Sequence, residues 1–283
     1  MKSLSVRIII VFLMVALGAG TAFAETAREK AVALKNKGNA ALQAGNPEEA
    51  LRYYRKAIEA DPTYANPYNN IGMILEKKGD KEKAATCYRE AISRDASLYQ
   101  PYLNLAFYSF EKGDEEEAEN LCRKALKLNK ADASAYDLLG EITEKKGGIA
   151  EAENLYRKAM ALAPSEGKSF FLLGRLSYRK GDYSAAASLL AKAVKLDSRD
   201  KGALFNLSLV FSKTGDYQAM VEALARYLAL EPADPEGLYL MGAGLIKLKR
   251  GKEAAPYLKK FLEAAPDDRR VPTVRKALRQ MEG

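Results

Sequence analysis

The sequence predicts an all-α fold, a solenoid of seven helical hairpins closed by a C-terminal capping helix, on three observations. A glycine returns every 34 residues, at Gly45, Gly79, Gly113, Gly147, Gly181 and Gly215. Small and large apolar residues return in the same register, and no insertion interrupts residues 31–268. Glycine makes up about 7% of average sequence, so its return in six of seven consecutive blocks marks a true repeat.

The segment ahead of the repeats reads as a secretory signal peptide. Lys2 and Arg7 form a basic start, Ile8 to Gly18 an apolar core, and Ala22-Phe23-Ala24 a small-x-small cleavage site before Glu25. Its uncharged run is shorter than the roughly 20 residues a spanning helix needs. The expected mature chain is therefore cut after Ala24, periplasmic or secreted, and without a transmembrane helix. Removing Lys2 and Arg7 from 45 basic residues leaves 43 against 37 acidic, a mild +6. Residues 25–30 are a short lead-in.

The blocks follow as 31–64, 65–98, 99–132, 133–166, 167–200, 201–234 and 235–268. Within each, the fourth place is large and apolar (Leu34, Tyr68, Tyr102, Tyr136, Phe170, Leu204, Leu238). With places 7 and 11 it makes one face of a first helix. Places 20, 24, 27 and 28 make the face of a second. The eighth place is small throughout (Gly38, Gly72, Ala106, Gly140, Gly174, Ser208, Gly242), which lets the paired helices approach closely. The glycine at place 15 stops the first helix. Acids behind it (Asp80, Asp114, Asp182, Asp216) and bases before it suit the two helix dipoles. Met220, Tyr227 and Phe261 stand at small-residue places, and Pro256 falls inside a second helix, so looser or altered packing is expected in the last two repeats. Residues 269–283 read as the cap, with Val271, Val274, Leu278 and Met281 in one stripe.

Composition removes most chemistry. The chain of 283 residues has no histidine and no tryptophan, which excludes imidazole metal sites and Ser/His or Cys/His nucleophile pairs. Cys87 and Cys122 stand apart from other ligand types, and no phosphate-binding or nucleophile-elbow motif occurs. No enzyme activity, cofactor or metal is expected. Bases alternate with acids instead of forming one basic face, which speaks against nucleic acid.

This spacing closely resembles the tetratricopeptide repeat (TPR) family, over seven blocks. The resemblance implies a right-handed superhelix of helix-turn-helix repeats, with partners held on the concave surface lined by the first helices, at places 2, 5, 6, 9, 12 and 13. There Lys35, Asn39 and Asn70 match part of the donor set by which cochaperone members hold a peptide's terminal carboxylate. Gln100 and Asn104 stand where that clamp has Lys and Arg. Asn70, Asn104 and Asn206, all at place 6, also resemble a ladder that holds an extended peptide backbone. Further along, the expected lining is aromatic and basic: Phe107, Phe171, Arg175, Arg179, Phe205 and Tyr239, with packing between helices as the competing role for such rings. The function implied is an exported protein-binding scaffold in the cell envelope, for a protein or an extended, acidic or carboxylate-ended peptide, assisting assembly of an envelope or secretion complex. An accessory role in exopolysaccharide export is the alternative.

Overall fold

The computed structural model describes residues 26–282; the expected signal peptide lies outside the described residues. Every regular element among them is a helix. The chain divides into two compact units, Met1–Ala131 and Asp132–Gly283.

The first unit carries α1 (26–43), α2 (Pro47–Ala60), α3 (Ala65–Lys77), α4 (Lys81–Arg94), α5 (Tyr99–Glu111) and α6 (Glu115–Leu128). The expected lead-in is helical: residues 26–30 extend α1, and Arg28 ties it down by an ion pair to Asp61 at 2.5 Å and a position over the Tyr64 ring. The second unit carries α7 (Ala133–Lys145), α8 (Ile149–Leu162), α9 (Gly167–Arg179), α10 (Tyr183–Leu196), α11 (Lys201–Thr214), α12 (Tyr217–Leu230), α13 (Pro235–Lys247), α14 (Gly251–Ala264) and α15 (Val271–Glu282). Each odd-numbered helix from α3 to α13 packs on the helix after it as a hairpin, and within each unit consecutive hairpins stack; Gly38 of α1 likewise lies against the Tyr54 ring of α2.

The six periodic glycines end the first helices with φ between +79° and +88°, where a Cβ would be strained. Each following residue donates its N–H back to a carbonyl five residues earlier, as Asp114 does to Ser109 at 2.9 Å. In the seventh repeat Lys249 takes the same turn at φ 60°, the one non-glycine among the described residues with positive φ. Asp114, Asp182 and Asp216 then cap the next helix, accepting from the backbone N–H three residues on. Asp80 does not; its carboxylate takes Lys83 instead, at 2.7 Å.

Place 8 is small because the place-24 side chain lies across it. A Cβ at Gly72 would fall 2.5 Å from the Tyr88 ring, and one at Gly140 equally close to Tyr156. Where place 24 is the smaller Cys122, Ala106 is accommodated; both are fully buried. In the last two repeats the packing is altered without being looser. Tyr227 lies against Gly237, whose Cβ would meet it at 2.8 Å, so the small residue has moved to the facing helix. Phe261 is fully buried, and α14 runs unbroken through Pro256. The cap α15 closes this core with Val271, Val274 and Leu278.

Candidate functional site

The family resemblance assigns the binding surface to the first helices, at places 2, 5, 6, 9, 12 and 13 of each repeat. In the first unit these places hold a run of amides. Asn39 Oδ1 accepts from the Tyr54 hydroxyl at 2.8 Å and from Asn70 Nδ2 of the next repeat at 3.2 Å. Asn104 Nδ2 in turn donates to Asn69 Oδ1 at 3.1 Å, and Asn69 is buried to 7% exposure. The asparagines at place 6 thus bond to amides on the preceding first helix. Lys35 stands half-buried on α1, one turn before Asn39. Phe107 is half-buried on α5. Asn69 was not singled out by sequence; its signal is its place-5 position directly before Asn70.

The second unit builds its lining on buried charge. Glu144, at the end of α7, has a side chain only 4% exposed. It accepts from the Tyr156 hydroxyl at 2.7 Å, from Arg175 at 3.0 Å and from Arg179. A carboxylate taken out of water needs such partners, and three charge-assisted or hydroxyl donors supply them. Arg175 also lies over the Phe171 ring, 5.7 Å from its centroid. Arg175 and Arg179 are 33% and 56% exposed, so both keep N–H groups facing solvent. Glu144 is the centre that the repeat pattern hides, because place 12 is otherwise variable.

Two turns earlier on α7, Asp137 is buried to 3% exposure, and its Oδ2 accepts from the Ser169 hydroxyl at 2.9 Å. Its Oδ1 has no partner. The reason is visible in the register: Asn104 serves the place-5 residue Asn69 from place 6 of the next repeat, whereas the place-6 residue facing Asp137 is Leu172. Burial pushes the Asp137 carboxyl up to about 6, against the opposing Ser169 bond and Lys168 charge.

Asn206 bonds within its own helix, to the Gly202 carbonyl at 2.9 Å, and does not reach a neighbouring repeat. Phe205 packs on Tyr227 with ring centroids 5.1 Å apart. Tyr239 packs on Phe261 at 5.5 Å and is covered by Arg270, 4.3 Å from its centroid. Arg270 itself is held by Asp268 and Glu236. These two aromatics therefore join the hairpin cores, paired with the unusual aromatics at place 27. Among the described residues no group of acids and cysteines is arranged to hold a metal ion, and no helix is long and apolar enough to cross a membrane.

Models of the tetratricopeptide repeat match residues 31–64, 65–98, 99–132, 138–201 and 171–235. No curated protein matches the chain. Among solved structures, PilF of Pseudomonas aeruginosa is similar with a TM-score of 0.68 and 18% identity, covering 75% of this chain and 97% of its own. The Cut9–Hcn1 hetero-tetramer of APC/C is similar with a TM-score of 0.67 and 18% identity over 81% of this chain. The match spans only 45% of that longer partner in the comparison. YrrB, described as a TPR protein with an unusual peptide-binding site, is similar with a TM-score of 0.56 and 23% identity, covering 68% of this chain and 99% of its own. At these identities the likeness is one of fold, and together with the matched models it establishes that the chain belongs to the tetratricopeptide repeat family.

Proposed function

We propose that this chain is a non-enzymatic scaffold that is exported, loses its first 24 residues, and holds a protein or extended-peptide partner on its first helices. Tetratricopeptide repeat proteins are in general interaction modules, and the fold leaves no part of the described chain outside the repeats and their cap. The observation that carries the peptide reading is the pairing of Asn39 with Asn70 and of Asn69 with Asn104. It sets amide groups side by side on adjacent first helices, next to Lys35. An extended backbone or a terminal carboxylate needs such a mixture of ammonium and amide donors. YrrB is described as peptide-binding, and PilW, at 17% identity and a TM-score of 0.65, as a type IV pilus biogenesis factor. The first is in keeping with a peptide partner, and the second with a role in assembling an envelope or secretion complex.

The polysaccharide alternative relies on exposed rings for stacking. Phe205 and Tyr239 are engaged by Tyr227, Phe261 and Arg270, which weighs against it. The test is partner binding by the Lys35→Ala, Asn70→Ala double variant. A charge-assisted contact contributes about 1.5 to 3 kcal/mol, so affinity falls at least roughly tenfold. Unchanged affinity would remove these residues from the binding surface.

A further inference from the structure

We infer that the outward face of the cap α15, carrying Arg275, Lys276 and Arg279 with Arg269 in the turn before it, docks on an anionic bilayer surface. This face lies off the first helices and is independent of the partner held there. The excess charge of the chain is concentrated in it. Of the 43 bases and 37 acids in residues 25–283, residues 269–283 hold five bases (Arg269, Arg270, Arg275, Lys276 and Arg279) and one acid, Glu282. Residues 25–268 are left with 38 bases against 36 acids, so the cap segment carries four of the six excess positive charges.

Arg275, Lys276 and Arg279 are exposed, whereas Val271, Val274 and Leu278 on the other side of α15 are buried in the core of the last repeat. Arg275 and Arg279 stand four residues apart, and Lys276 and Arg279 three, so like charges are neighbours and oppose the helix. The dipole favours only Arg279, in the last turn. Among the described residues Arg269, Arg275, Lys276 and Arg279 have no ion pair. The carboxylates of Asp268 and Glu236 are taken by Arg270, and that of Glu253 by Arg250. By contrast the three bases of α9, a helix without an acid of its own, all pair with Glu141 or Glu144 of α7.

The chemistry of the face selects the partner. A protein interface is anchored by aromatic or aliphatic side chains, and among the described residues α14 and α15 expose no large apolar one. Single-stranded nucleic acid is held by rings on which bases stack, but the other exposed residues described on α15 are Pro272, Thr273 and Gln280. Reading a duplex takes an element that enters a groove, whereas α15 lies flat with its apolar side against the last repeat. A plane of anionic headgroups asks only for long cationic side chains on an open face. Because its apolar stripe is committed to the core, α15 binds from the surface without inserting, unlike a free amphipathic helix.

The experiment is co-sedimentation of the purified full chain with vesicles of phosphatidylglycerol and phosphatidylcholine. Vesicles of phosphatidylcholine alone report any binding through the apolar run Ile8 to Gly18. Partition is expected to be stronger on the anionic vesicles and to weaken as salt rises. A base at an anionic surface contributes about fivefold. The triple variant Arg275→Gln, Lys276→Gln, Arg279→Gln should therefore lower the ratio of anionic to neutral partition roughly a hundredfold. Its melting temperature should not fall, since only exposed, mutually repelling charges are removed. Arg55→Gln with Lys56→Gln and Lys130→Gln, equally exposed and removing the same charge elsewhere, should change the ratio less than about threefold. Equal binding to both kinds of vesicle, or an equal loss in the two triple variants, overturns the cap face. Duplex DNA that strips the chain from the vesicles at a phosphate concentration below that of the anionic lipid overturns the choice of a bilayer. Either failure leaves the scaffold reading standing, because these bases lie outside the first helices, and that reading fails separately through its own double variant.

Discussion

The hydroxyl of Tyr156 donates to the buried carboxylate of Glu144 at 2.7 Å, while its ring lies across Gly140. One side chain thus locks both helices of its hairpin. Burial and the Glu144 charge push its own ionisation well above the usual phenol range. Arg175 and Arg179 reach the same carboxylate from the following repeat, so hairpin packing and repeat stacking share one acceptor.

Removing that acceptor leaves a half-buried guanidinium and a buried hydroxyl unmatched. Glu144→Ala should cost about 2 to 3 kcal/mol, less than for a fully buried pair because Arg179 is 56% exposed. Glu144→Gln should cost about half as much, since the Tyr156 bond survives. Urea unfolding of the three proteins measures both, and a Glu144→Ala loss under about 0.5 kcal/mol would show that the cluster adds nothing to stability.

Asp137 makes stability pH-dependent in a direction opposite to most acids. Its folded pKa of about 6 lies above the unfolded value of 3.8, so the native state holds the proton more tightly. Stability from this group is therefore present at low pH and is lost as pH rises from about 4 to about 6. The full difference is about 2 to 3 kcal/mol. Asp137→Asn abolishes it, so the stability of wild type relative to this variant should fall between pH 4 and pH 7. A difference that stays flat across that range would refute the buried acid.

Lys249 and Gly181 test the turn from both sides. Lys249 sits at φ 60°, and Lys249→Gly should stabilise by about 0.5 to 1 kcal/mol. Gly181 has φ +82°, and a Cβ there would meet nothing within 4 Å, so Gly181→Ala should destabilise by a similar amount through backbone strain alone. Thermal unfolding of the two variants should move in opposite directions.

Asn70→Ala removes a hydrogen bond to Asn39 as well as a ligand donor. Its melting temperature should therefore fall slightly, by the roughly 1 kcal/mol of one hydrogen bond, while Lys35→Ala leaves it unchanged. A binding assay must be run well below both transitions to separate the two effects.

The hairpins are legible in the sequence because their determinants are local and periodic. A glycine is needed wherever φ is positive, and a small residue wherever Tyr54, Tyr88 or Tyr156 crosses the partner helix. The binding surface is less legible because it depends on pairings between repeats. Phe205 and Tyr239 occupy places that the family leaves open, yet they turn to the aromatic residues that replace alanine at place 27. Asn206 has the residue type of the ladder, but its amide folds back on its own helix. Glu144 and Asp137 become visible only once α7 and α9 are set side by side, since their partners on α9 lie 31 to 35 residues away in sequence.

The central claim, that the first helices carry the partner, is tested most directly by site-specific photo-crosslinking in cells that make the protein. A photoreactive side chain is placed at Asn70 on α3 or Lys213 on α11, and for comparison at Arg89 on α4 or Arg226 on α12. The account predicts that one polypeptide is captured from the first-helix positions and not from the second-helix positions. Capture of that polypeptide only from α4 and α12 would contradict it.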